Sequence, residues 1–74
     1  MSVERVTITT EYIKLDQLLK FAGVAMTGAD AKDMILSKMV EVDGEICTMR
    51  GKKMRPGDSC TIFFEDETVV IKVE

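Results

Sequence analysis

Val3, Val6, Thr7, Ile8 and Thr9 put β-branched and alternating side chains along positions 3 to 9, and this stretch reads as a first strand. From Lys14 the period changes. Leu15, Leu18, Leu19 and Ala22 recur at helical spacing, and Gly23 follows as a C-terminal glycine. Asp16 and Lys20 stand four apart on the polar side of that helix and are placed to pair. Thr27 opens a second helix: its hydroxyl can accept from the N–H of Asp30, and Ala31, Met34, Ile35 and Met39 form the apolar stripe. The run Val40 to Cys47 then alternates about Asp43-Gly44, a pair suited to a type I′ hairpin turn. Pro56-Gly57-Asp58 marks a further turn. Cys60 to Phe64 and Val69 to Val73 read as strands around the acidic turn Asp66-Glu67. Helices this short are marginal alone and must bury their apolar faces on each other and on a sheet. The order is strand, two helices, hairpin, basic loop, two strands. It predicts a single α+β domain over 1–74, with two short packed helices against a small, mostly antiparallel sheet.

Composition changes the picture mainly by exclusion. A hydrophobic share of 46% and a mean hydropathy of +0.08 favour a packed core over disorder. No run of about 18 apolar residues spans a membrane, and the first residues lack the apolar stretch of a signal peptide, so the cytoplasm is the expected compartment. Cys47 and Cys60 each lie in an apolar stretch and read as reduced, small hydrophobes. Two cysteines without a histidine are too few for a zinc site, so no metal or cofactor is expected. The lack of histidine also removes the commonest general base. No serine or cysteine has an activating neighbour. The expected class is therefore a binding module, not an enzyme, with no small-molecule substrate. Met26, Met34 and Met39 read as packing residues, and Phe21, Phe63 and Phe64 fit apolar stretches.

Charge supplies the candidate chemistry. The net charge is −3, yet Arg50, Lys52, Lys53 and Arg55 fall within six residues with no acid among them. Residues 14 to 55 hold eight basic side chains against six acids, whereas residues 56 to 74 hold one against five. The acidic end masks a mildly basic middle, so bulk charge is a poor guide to partners. A cationic run beside glycine suits a phosphate backbone that must be approached closely. The plainer reading is a solvated loop. Lys20 has a similarly plain role as the partner of Asp16, and Lys38 as a complement to the end of the second helix.

Five strings in order carry a resemblance: Leu15-Asp16-Gln17-Leu18-Leu19-Lys20, Thr27-Gly28-Ala29-Asp30-Ala31-Lys32, Val40-Glu41-Val42-Asp43-Gly44-Glu45, Arg50-Gly51-Lys52-Lys53 and Pro56-Gly57-Asp58. Together, from about Ile13 to Ile62, they resemble the RNA-binding domain named after small-subunit ribosomal protein four, the αL fold. Within it, the small stand-alone bacterial members of the YaaA and YbcJ type are most similar. The resemblance implies a module that grips structured RNA, ribosomal or transfer RNA, the ribosome included. It also implies one basic surface shared by two helices and the loop after the hairpin. Carried over residue by residue, the contacts are Lys14, then Thr27, Gly28 and Lys32 at the start of helix two, and Arg50, Gly51, Lys52 and Lys53 in the loop. The chain departs from the family pattern at Gly28-Ala29, where many members have an arginine, at Asp43, where asparagine is usual, and at Met49, where a second arginine is common. A ubiquitin-like sulfur carrier or protein-interaction module shares the hairpin and Pro-Gly-Asp features. The ending Lys72-Val73-Glu74 lacks the Gly-Gly that a carrier activates.

Overall fold

Strong local signals become elements where they were expected. The computed structural model describes residues 1–74. Its order is β1 (Ser2–Val6), β2 (Ile13–Lys14), α1 (Leu15–Phe21), α2 (Gly28–Leu36), β3 (Val40–Val42), β4 (Glu45–Ile46), β5 (Lys53–Met54), β6 (Ser59–Phe63) and β7 (Thr68–Val73). One sheet runs β1-β7-β6-β3-β4, and β2 pairs with β5 in a separate two-stranded ribbon. All pairings are antiparallel except β1 with β7. The α+β reading holds. The sequence pattern missed the β2–β5 ribbon and the parallel closure by β1.

Thr27 caps α2 as its sequence suggests, its hydroxyl accepting from the Asp30 N–H at 3.1 Å. Both helices end in paired backbone bonds. Gly23 and Val24 donate to the Lys20 and Leu19 carbonyls, while Lys38 and Met39 donate to those of Ile35 and Met34. Gly23 takes the left-handed conformation this closure needs at φ 76°, and Lys38 does so at φ 63° without being glycine. The hairpin tip is Asp43-Gly44, with φ values of 54° and 82°, as a type I′ turn demands.

The core holds 15 buried residues, all apolar, with no buried polar side chain. It gathers Leu15, Leu18 and Leu19 from α1, Ala31 and Ile35 from α2, and alternate residues of β3, β6 and β7. Met34 and Met39 pack against it from the side. Several expectations need correction. The first strand stops at Val6 rather than Thr9, because β7 runs out beside it: Glu74 donates to the Val6 carbonyl, and Ile8 to that of Glu74. Met26 is 87% exposed and Phe21 71% exposed, so neither is a core residue. Phe63 is partly open as well, while Phe64 packs on the core. Asp16 does not pair with Lys20; its carboxylate accepts from the Gln17 N–H at 2.8 Å instead. The one ion pair is Arg5 with Glu74, exposed and of small consequence for stability.

Both cysteines are free thiols, as expected. They flank β3 on opposite sides: Cys60 faces Val42, and the Cys47 N–H donates to the Val40 carbonyl. Two strand spacings come to about 9.5 Å, beyond the roughly 7 Å reach of a disulfide. Burial, then charge repulsion from the Cys47 thiolate, push the Cys60 thiol up to about 12 from an ordinary 9.0, against a lowering hydrogen bond with the Ile71 backbone. A raised folded-state pKa leaves stability intact below the unfolded value and erodes it above. Between pH 9.0 and about 12, folding stability should fall by up to about 1.4 kcal/mol per pH unit through this group. Urea titrations across that range should show Cys60→Ala losing this component of the slope. Equal slopes in variant and wild type would refute it.

Candidate nucleic-acid interface

The ribbon β2–β5 forms the centre of the basic region. Ile13 pairs with Met54 and Lys14 with Lys53. Ile13 and Met54 belong to the core, at 9% and 0% exposure. Successive residues of a strand point to opposite faces, so Lys14 and Lys53 stand side by side on the outer one, and both are exposed. The same alternation carries Tyr12 and Arg55, one residue further on, to that face. Their placement agrees: Lys53 Nζ lies 5.0 Å and Arg55 Cζ 6.0 Å from the centroid of the Tyr12 ring. The ribbon therefore presents one aromatic ring and three cations.

Backbone bonds stitch the basic loop to α1. Lys14 occupies the N-cap in extended conformation (φ −70°, ψ 146°) and offers no side-chain cap. The carbonyls of the loop replace it: Leu15 donates to Lys52 at 2.9 Å and Asp16 to Arg50 at 3.1 Å. Lys52 in turn donates to the Met49 carbonyl at 3.1 Å. Fixing the loop's backbone to a helix anchored in the core by its leucines leaves the Arg50 side chain and Gly51 exposed beside the ribbon. Lys52 differs. It is half-buried and lines a shallow cavity with Glu45, Cys47 and Met49. The turn after β5 is fixed too: Asp58 donates to the Arg55 carbonyl, its carboxylate accepts the Arg55 N–H at 2.8 Å, and Gly57 turns at φ 97°.

The structure thus brings Lys14, Arg50, Gly51, Lys52 and Lys53 around the start of α1. Gly28 and Lys32 lie on α2 and Thr27 caps it, and α2 packs on α1. No hydrogen bond or ion pair ties those three to residues 50–55. Thr27 spends its side chain on the cap, while the N–H groups of Gly28 and Ala29 have no protein acceptor. None of the cations of this region is paired with a carboxylate. Lys14 directly opposite Lys53 opposes folding by about 0.2–1 kcal/mol and favours an anion. Tyr12 carries no sequence signal of a contact by itself, and Arg55 stands out in the sequence only as part of the basic run. A signal for both existed in the polar–apolar–polar triplets Tyr12-Ile13-Lys14 and Lys53-Met54-Arg55.

No curated protein matches the chain significantly. The family described as S4 domain matches residues 6–72, nearly the whole length. S4 domains are RNA-binding modules, and the resemblance carried by the five sequence strings is borne out at that level. The fold, the match along residues 6–72 and the unpaired cations around α1 agree: the chain belongs to the S4 domain family.

Proposed function

We propose that this protein grips structured RNA, ribosomal or transfer RNA, and catalyses no reaction. In this reading it acts in the cytoplasm as one domain of the stand-alone bacterial type. Lys14, Lys53, Arg50 and the half-buried Lys52 neutralise successive phosphates, Gly51 lets the backbone approach closely, and Thr27, Gly28 and Lys32 extend the contact along the start of α2. The N–H groups left free there suit a phosphate oxygen. The observation that carries the reading is the exposed Lys14–Lys53 pair, held opposite one another by register and in no ion pair. Phosphate contacts set position and affinity without reading bases. Specificity then comes from the shape of the folded RNA.

Crosslinking the tagged protein to RNA in cells and sequencing what is recovered tests this. Enrichment of ribosomal or transfer RNA at defined positions is expected. Recovery no different from an untagged control would remove the proposal, and a stoichiometric protein partner in its place would favour the interaction-module reading.

A further inference from the structure

The geometry points to Tyr12 as a positioning residue that presets Lys53 and Arg55 for phosphate, with Arg55 as a further direct contact. The inference rests on the RNA-binding reading above. Lysine and arginine on a two-residue strand and the loop after it carry large rotamer freedom, which a phosphate contact must otherwise remove. Both heads lie over the ring of Tyr12, at 5.0 and 6.0 Å from its centroid. A cation over an aromatic face is attracted by the ring quadrupole and spends few of its donors there. An ammonium keeps N–H groups free beside the ring, and a guanidinium keeps the donors in its own plane, the ones that match phosphate oxygens.

Tyr12 is itself held. It is half-buried, its carbonyl accepts from Thr10 Oγ1 at 2.8 Å, and the next residue, Ile13, is anchored in the core. Arg55 is fixed through its backbone by the Asp58 carboxylate and by the turn at Pro56-Gly57. The ring and the two cations therefore form a prearranged group on one rigid ribbon. Prearrangement lowers the cost of ordering side chains on binding. Neither side chain is in an ion pair, the Asp58 carboxylate being taken up by the Arg55 backbone N–H.

Two measurements decide this. In the free protein, NMR should show the ε-methylene of Lys53 shifted upfield by the ring current, and Tyr12→Leu should abolish that shift while Tyr12→Phe keeps it. Binding of fluorescently labelled transfer RNA at several salt concentrations gives the second. Tyr12→Leu should weaken affinity about three- to tenfold with an unchanged salt slope, since the cations remain. Tyr12→Phe should restore wild-type affinity. Arg55→Ala should instead flatten the slope by about 0.7–0.9, the mark of one lost phosphate. Unchanged affinity in Tyr12→Leu overturns the positioning role. So does a Tyr12→Phe variant as weak as the leucine one, because the hydroxyl rather than the ring would then act. An Arg55→Ala slope equal to wild type overturns the contact assigned to Arg55. If the wild type binds neither transfer RNA nor a ribosomal RNA fragment while the Lys53 shift behaves as described, the RNA reading falls and the ring's hold on Lys53 stands.

Discussion

Replacing Met54 with alanine should cost about 2–5 kcal/mol of folding stability and loosen the basic ribbon with it. Met54 is wholly buried, although β5 contributes only Lys53 and Met54 to its two-stranded pairing. A 74-residue domain has on the order of 4–11 kcal/mol to lose, at about 0.05–0.15 kcal/mol per residue. One methionine thus accounts for a large part of the total. The side chain does more than fill volume. It fixes the inner face of β5, and the alternation then sets the outer face bearing Lys53. Met54→Leu conserves volume and should cost less than about 1.5 kcal/mol. Urea unfolding followed by circular dichroism compares the three proteins. An alanine variant with the wild-type midpoint would show that this side chain is not the ribbon's anchor.

The elements that could be read in the sequence are those whose cause is local. Thr27 needs only the Asp30 N–H, three residues on, to declare a helix start. Asp43-Gly44 needs only two positive φ values to close a hairpin. The ribbon has no such signal. Its strands are two residues each, and the paired Lys14 and Lys53 lie 39 positions apart. What selects that pairing is tertiary: the first turn of α1 has no capping side chain, and the carbonyls of Arg50 and Lys52 supply the missing acceptors. A lysine at an N-cap was the one visible hint, since that position normally carries a short polar oxygen.

Residues 7 to 9 show the opposite failure. Their β propensity is genuine, but β7 ends at Val73 and only Ile8 finds a backbone partner beyond it, the Glu74 carbonyl. Phe21 and Met26 are apolar in a sequence whose core is already filled by Leu15, Leu18, Leu19 and Ala25, and periodicity carries no record of how much sheet is available to cover. For the candidate site, counting charges located the 50–55 segment. Only the register shows that Lys14 joins it and that Lys52, although adjacent to Lys53, turns partly inward.

That difference separates the two neighbouring lysines in the second large effect. The pair Lys14→Ala and Lys53→Ala should weaken RNA binding about thirtyfold, taking about 1 kcal/mol for each exposed charge contact. The log–log salt slope should flatten by about 1.4 to 1.8, two contacts at 0.7 to 0.9 each. Lys52→Ala should do less on both counts, because its side chain is half-buried beside Glu45 and Met49. Stability should move the other way. Removing two like charges that face each other across an antiparallel pair relieves about 0.2–1 kcal/mol, partly offset by the lost contact of Lys53 with Tyr12. A melting temperature equal to or slightly above wild type is therefore expected alongside the weaker binding. Titrations with labelled transfer RNA from low to physiological salt, paired with thermal melts of the same samples, measure both. Wild-type affinity and slope in the double variant would show that the ribbon does not hold RNA. A melting temperature lowered by more than a few degrees would show that the two lysines support the fold, against the like-charge repulsion assigned to them.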